Sequence, residues 1–494
     1  MTSERNGHGA YVGGDAARAP RAARAVALAG FVLYAAAAPH SIAGAWMGLA
    51  LVVAAWLVRL LATREPGVRP TPFDFPLWLL YAWTVLSAFL SAEPRISIAK
   101  LASVGTFLVF YLTQAMLTRR MAAVAAVVLV ASGVAGTLWS LGEIARGRGV
   151  VVVEMKDGSP LRQVADLRQG DAIWRVNEGR VSSVEEIDEA IRRTPTGEVV
   201  RLSVVARGEH VEWPGFVATD ELKRRASPSG LTGGGPTRRF RASGWTRHYE
   251  TYAEVLQMVA QLALGLALAF LLRRRRGVTA WLPFVAFVLL GAGIALTAMR
   301  TTLAAFAVGA VVVAWRATAR GRARVFVVAA VAFALAFGAV IVWRTRAGGA
   351  LTLSDPSASL RVQVARVAAG RVPLHPVFGH GMDAVQRHWQ EWGFPGTDML
   401  HTHSTPLQLA FDRGLPAVLF WLWLLAAFWL AATRAERLWR DTDDAATHGL
   451  ALGTTGALAG FAASSLVNYN FGDSEVALLL WWLMGAIVVL SREQ

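Results

Sequence analysis

The sequence predicts an all-α polytopic membrane protein of about 12 transmembrane helices, carrying one small α+β insert on its outer face. Three observations lead there. Long uncharged apolar runs recur along the chain, arginines collect at alternate ends of those runs, and residues 149–212 break the pattern with short β-type runs. The composition agrees: 54% of the 494 residues are hydrophobic and 17% charged, against about 25% charged in an average soluble domain. That mixture excludes disordered, collagen-like and disulfide-scaffold chains. With no cysteine, a disulfide, a thiolate nucleophile and a Cys-ligated metal are all ruled out.

A helix needs about 20 apolar residues to cross a bilayer. Runs at 25–39, 41–61, 75–92, 97–117 and 121–142 give five N-terminal spans within residues 1–142. Runs at 251–272, 278–298, 302–315, 325–343, 413–432, 448–467 and 475–491 give seven more within residues 248–494. The first and eighth are short, and the fourth carries Lys100 near its start. The first run lacks a convincing small-residue cleavage site and reads as a retained signal-anchor.

Orientation follows from the charges. With the N-terminus cytoplasmic, the inside connections hold Arg59, Arg64 and Arg69, then Arg119–Arg120, Arg273–Arg276, Arg316 to Arg324, and Arg434 to Arg440. The short outside connections hold only Arg95, with Lys100 and Arg300 at span ends. This is the positive-inside pattern with both termini cytoplasmic. It also reinterprets the net charge of +15: these arginines are topology signals, so no nucleic-acid partner is expected.

From 147 to 215 transmembrane character stops. GVVVVEM (149–155) reads as a strand, DGSP (157–160) as a turn, and LRQGDAIWRVN (167–177) as a turn into a second strand. VSSVEEIDEAIRRT (181–194) reads as a helix capped by Ser182 or Ser183, with Ile187, Ala190 and Ile191 on its apolar face. VVRLSVVARGEHVEW (199–213) reads as two strands turning at Arg207 to Glu209. The order of these words resembles a bacterial PDZ domain: Gly158-Ser159-Pro160, Leu167 to Asn177, Val181 to Ile191, and Pro195 to Val200. Glu178 stands before Gly179 where Asn is common, and residues 161–166 are polar where Ala-rich sequence is usual. The resemblance implies a peptide or protein ligand taken up by strand addition. A structural cap over the membrane helices is the plain alternative. Residues 216–247, with Ser227-Pro228-Ser229-Gly230 and Gly233-Gly234-Gly235-Pro236, read as a flexible linker.

The second long outside segment, 344–412, holds His375, His380, His388, His401 and His403, with Arg361, Arg366, Arg371, Arg387 and Asp398. Asp355-Pro356 starts a helix over 357–369. A second helix over 381–392 places Met382, Val385, Trp389 and Trp392 on one side, a stripe suited to packing on the bundle.

Four stretches then carry a family resemblance: LTAMRTTLAAF (296–306), SLRVQVARVA (359–368), HPVFGHGMDAV (375–385) and HTHSTPLQLAFDRGLPAVL (401–419). Together they resemble the superfamily of O-antigen ligases and polymerases, bacterial envelope glycosyltransferases. Ser404 replaces the usual Asn, and His380 separates Gly379 from Gly381. The resemblance implies a GT-C-like bundle in the bacterial inner membrane. It also implies metal-independent transfer of a polysaccharide on the periplasmic face, without cofactor. The donor would be a glycan on undecaprenyl pyrophosphate, and the acceptor a sugar hydroxyl such as that of lipid A-core, or another lipid-linked repeat in a polymerase.

The residue types suit that chemistry. A departing pyrophosphate gathers negative charge, and a fixed arginine at about 4 Å is worth roughly 4 kcal/mol at an effective dielectric near 20. Arg300 and Arg361 are the candidates. Arg366 lies about 140° around the same helix and is assigned to substrate binding. His403 would take the proton of the acceptor hydroxyl, with His401 as the weaker candidate. Gly379, Gly381, Ser404 and His248 complete the expected binding set with His401.

Plainer readings stand beside these. Arg300 could be an interfacial anchor, and His401, His403 and Asp398 a metal site, although no His-Glu-x-x-His motif is present. His248, Tyr252 and Glu254 could simply start a helix, and Asn468, Tyr469, Asn470 and Asp473 form a polar turn. A membrane-anchored peptide-binding scaffold is the alternative of a different class. A transporter is disfavoured because the central spans read as lacking buried carboxylates of the kind that mark ion pathways.

Overall fold

The computed structural model describes residues 12–163, 167–206, 209–238, 240–246, 248–273, 278–318, 325, 328, 356–396 and 401–492. The expected span at 325–343 lies almost wholly outside them, as do Arg207, Gly208 and Asp398. Two compact units divide the chain: Met1–Gly136, Trp245–Ala295 and Met299–Gln494 form one, and Thr137–Gly244 with Leu296–Ala298 the other.

The helical unit begins with α1 (Val12–Ala37), α2 (Ile42–Thr63), α3 (Asp74–Leu90), α4 (Pro94–Lys100), α5 (Leu108–Met116) and α6 (Arg119–Arg146). Local chemistry sets several boundaries. Ser41 caps α2 by accepting the Gly44 N–H at 3.2 Å. The Asp74 carboxylate at the start of α3 accepts the Thr71 N–H at 2.6 Å and the Tyr111 hydroxyl at 2.9 Å.

Six helices among the described residues are long and apolar enough to cross a membrane, which corrects the expected twelve. They are Ile42–Thr63, the run Pro94–Met116, Arg119–Arg146, Tyr249–Leu272, Arg300–Ala317 and Leu415–Arg440. Hydropathy alone over-counts for two reasons. Asp74–Leu90 and Ser474–Leu490 are apolar but have 17 residues each, about 26 Å of helix against a hydrocarbon core of about 30 Å. Ala445–Ser465 has the length, yet it is built largely of Gly, Ala, Thr and Ser and is buried inside the protein. Six apolar helices of this kind fit a multi-pass membrane protein.

After the insert come α9 (Tyr249–Leu272), α10 (Val278–Leu296), α11 (Arg300–Ala317), α12 (Pro356–Arg371), α13 (Ala384–Arg387), α14 (Thr405–Arg413), α15 (Leu415–Arg440), α16 (Ala445–Ser465) and α17 (Ser474–Leu490). The centre of the unit is a seam of small residues. Gly449, Gly453, Gly456 and Gly460 share one face of α16. A Cβ on Gly265 of α9 would lie 2.4 Å from the Gly449 carbonyl oxygen, and one on Gly309 of α11 would lie 2.6 Å from that of Gly456. Apolar helices surrounded by lipid gain little from hydrophobic burial, so this close backbone approach supplies much of their cohesion. The helix expected over 381–392 shrinks to α13, because Gly381 and Asp383 both take positive φ ahead of it.

The same unit overturns the reading that its helices lack buried carboxylates. Glu254 is 2% exposed in α9 and Glu436 is fully buried in α15. Glu436 is paired with Arg316 at 2.5 Å and Arg440 at 2.9 Å. Glu254 has no arginine or lysine partner among the described residues.

In the second unit, β1 (Val150–Met155), β2 (Ala172–Val176), β3 (Gly179–Arg180), α7 (Val184–Arg193), β4 (Val199–Ala206), β5 (Glu209–Val217), α8 (Asp220–Arg224) and β6 (Leu231–Gly233) follow in order. The sheet runs β5-β4-β2-β1-β6, antiparallel, with β3 paired to β2. Ser183 caps α7 by accepting the Glu186 N–H at 3.3 Å, while Glu186 accepts the Ser182 N–H at 2.7 Å. Ile187 and Ile191 of α7 join Ile173, Val200, Leu202 and Val204 in the core. Residues 216–247, expected as a linker, hold α8 and β6. Thr232 of β6 pairs with Glu154, and Arg148 bridges to Thr237.

Candidate active site

Four helices and one turn of the helical unit converge on one polar node. Its hub is Asn468, in the turn after α16. The Asn468 amide donates to Glu254 Oε1 at 2.9 Å, to Thr301 Oγ1 at 3.2 Å and to Ser464 Oγ at 3.0 Å. Glu254 Oε1 also accepts the Thr302 hydroxyl at 3.0 Å and that of Ser464. The backbone carbonyl of Asn468 accepts both the N–H and the hydroxyl of Thr405 at 3.1 Å. Asn470 then accepts from Thr405 at 3.1 Å and Ser465 at 2.8 Å. The residues that read as an ordinary polar turn therefore hold α9, α11, α14 and α16 together.

Arg361 reaches this node from α12. Its guanidinium pairs with Glu250 at 3.2 Å and donates to Asn468 Oδ1 at 3.5 Å. The pair is partly open to solvent, so its Coulomb energy is modest and Glu250 is an exchangeable partner. His401 and His403 lie near enough for Arg361 to act on both. Burial, then Arg361, lowers His401 from the usual 6.5 to about 4. Burial, then His401, then Arg361, lowers His403 to about 3. His401 also stands 5.7 Å from the Tyr469 ring.

The histidine turn is braced from behind. Gln408 accepts the Thr402 N–H at 2.7 Å and donates to Asp412 Oδ1 at 2.8 Å. Burial pushes the Asp412 carboxyl up to about 7. Ser404 opens α14, and its carbonyl accepts the Gln408 N–H at 2.8 Å.

The other expected residues fall in three places. Arg300 is exposed at the first position of α11, one residue before the threonines that join the node. His248 is exposed just ahead of α9, and Arg366 is exposed on α12 away from Arg361. Gly379 and Gly381 lie against backbone instead. Gly379 has φ +73°, and a Cβ there would meet the Arg413 nitrogen and the Asp412 carbonyl carbon at 2.4 Å. A Cβ on Gly381 would meet Ser97 Oγ at 2.5 Å. Gly414 takes φ +81°, and a Cβ there would run into the Val377 carbonyl. The glycines of HPVFGHG and DRGLP thus let two turns touch. Between Gly379 and Gly381, His380 stacks on Phe411 at 4.4 Å, and its Nε2 lies 3.0 Å from the Arg371 carbonyl.

Glu250, Glu254, Thr301, Thr302, Thr405, Ser464, Asn468 and Asn470 carry no role in the sequence reading beyond those noted for Glu254 and the turn. A polar residue recurring within apolar helices, Glu254 in particular, was the signal that could have found them. Among the described residues no group of three or more His, Cys, Asp and Glu could hold a metal ion.

No curated protein matches the chain. Residues 285–422 match the O-antigen ligase family model. The matched segment contains Arg300, Arg361, His401 and His403 but neither Glu254 nor Asn468. At the superfamily level, this C-terminal region is similar to the O-antigen ligases, a family of enzymes.

Proposed function

We propose that the protein is an inner-membrane glycosyltransferase acting on the periplasmic face. It transfers a polysaccharide from undecaprenyl pyrophosphate to a sugar hydroxyl such as that of lipid A-core. The observation that carries this reading is the meeting of Arg361 with His401 and His403 inside the segment that matches the O-antigen ligases.

Arg361 binds the pyrophosphate, displacing Glu250 from a half-exposed pair, and Arg300 adds a second positive charge from the start of α11. As the glycosidic bond breaks, the electron pair stays with the pyrophosphate oxygen, and the arginines stabilise that charge. His403 takes the proton from the acceptor hydroxyl, whose oxygen forms the new bond. An imidazole at about 3 is a weak base. Part of that depression comes from Arg361, and a bound pyrophosphate cancels that charge. Donor binding therefore raises His403 toward its ordinary value and readies it for the acceptor.

The test is purified full-length protein with lipid-linked glycan and core oligosaccharide. Arg361→Ala and His403→Ala should lose transfer, and chelator should leave it unchanged. Chain growth on a second lipid-linked repeat, with none on core, would convert the reading from ligase to polymerase. Undiminished transfer by either variant would remove the assigned roles.

A further inference from the structure

Arg413 ends α14 and is 8% exposed. Its guanidinium has one polar partner among the described residues, the Thr84 hydroxyl of α3 at 3.3 Å from Nη1, and its Nε has none. Among the described residues no carboxylate lies within ion-pair distance of it. The neighbouring Asp412 gives its Oδ1 to Gln408. Arginine stays charged in any protein environment and carries five donors in a fixed fork. A buried guanidinium that is this poorly paired calls for an anion.

Arg413 lines a cavity of about 120 Å³ with Tyr81, Thr84, Phe107, Tyr469 and Trp481. One water needs about 10–15 Å³ of such space, so the cavity seats a polyatomic group. Its remaining walls include Leu77, Leu80 and Ala477. The ligand that fits is anionic at one end and apolar at the other. Tyr469 forms a wall of this cavity and also faces His401, so the cavity adjoins the node around Arg361.

We infer that Arg413 and this cavity form a binding site for the phosphate of a lipid phosphate ester, with its hydrocarbon lying along Leu77, Leu80 and Phe107. The inference extends the transfer reading by giving the lipid end of the donor a second contact.

The test uses the full-length protein in zwitterionic lipid nanodiscs, with farnesyl phosphate, farnesol and inorganic phosphate as probes. The wild type should bind farnesyl phosphate about tenfold or more tighter than either other probe. Arg413→Gln should erase that preference, and it removes a poorly paired buried charge, so folding should survive. Arg413→Lys should restore part of it. Ala477→Leu, which narrows the cavity without touching the charge, should weaken farnesyl phosphate as well. Equal affinity of wild type and Arg413→Gln for farnesyl phosphate overturns the site. Farnesol binding as tightly removes the role of the charge, and inorganic phosphate binding as tightly removes the lipid; either result overturns the inference too. A wild type that binds in this Arg413-dependent way yet transfers no glycan would sink the transfer reading alone.

Discussion

His403 stands edge-on to His401, with ring centroids 4.4 Å apart and planes at 70°. Its backbone N–H donates to His401 Nδ1 at 3.3 Å. A nitrogen that accepts carries no proton, so His401 is held neutral with its proton on Nε2. The turn that makes this contact requires φ +55° at His403, a strained conformation for a non-glycine residue. The two imidazoles are thus one unit, braced through Thr402 and Gln408.

The first prediction concerns pH. His401 and His403 are lowered to about 4 and about 3, against 6.5 in the unfolded chain. The native state therefore holds fewer protons between those values, and stability is full above about pH 6.5 and lost as pH falls through about 4 and then 3. Thermal melts should show this acid decline, reduced in His401→Gln. The kcat/KM for transfer reports the free enzyme and should show no inflection near 6.5. An acid limb centred there would contradict a base already neutral in the free protein.

Asp412 works in the opposite sense. Its carboxyl is raised from 3.8 to about 7, so the native state holds an extra proton in that window. This contribution is fully present below about pH 4 and is lost as pH rises through about 7. Asp412→Asn keeps the acceptor for Gln408 and removes the titration. Its Tm relative to wild type should climb between pH 4 and 7; a difference that stays constant would remove Asp412 from the pH response.

Asn468→Ala strips the contacts to Glu254, Thr301, Ser464 and Arg361 in one step. A loss of about 1.5–3 kcal/mol is expected where charged groups lose buried hydrogen bonds. Leu466→Ala, two residues away and 64% exposed, should stay within about 0.5 kcal/mol. Denaturation of both variants in the same detergent provides the comparison.

Gly379→Ala adds a Cβ that meets backbone at 2.4 Å in a left-handed conformation. Gly370→Ala adds one with nothing within 4 Å, inside α12. The first should lower Tm sharply. The second should raise stability by about 0.5–1 kcal/mol, because alanine is the better helix former. Similar melts for the two would show that the 379–381 turn does not depend on its contact with 411–413.

Elements whose cause is local were legible in sequence. The valine run in 149–155 and the Ser-Glu cap before Val184 are readable because strand and cap are set by neighbours a few residues apart. Arg361 and the histidine pair stood out because they fall in SLRVQVARVA and HTHSTPLQLAFDRGLPAVL, two of the stretches that carry the family resemblance. The hub at Asn468 did not, since its partners Glu254 and Thr301 are 214 and 167 residues away. The number of crossings was misread for a related reason. A helix such as α16 is apolar because other helices cover it, and composition cannot separate that cover from lipid. Arg413 was hidden by its setting in DRGLP, where only the fold reveals that it is buried beside Thr84, a residue 329 positions away.

Arg148 and Thr237 exchange two backbone hydrogen bonds, at 2.8 Å and 3.0 Å, so the β-rich unit begins and finishes at a single doorway. A module with its two hems sewn together can be lifted out of a gene, or dropped into one, with the flanking chain left only a short gap to close. The cut that respects this architecture runs from 149 to 236. A shorter excision ending at 213 would leave β6 as an orphan strand, and any defect that followed would report torn stitching instead of a missing function.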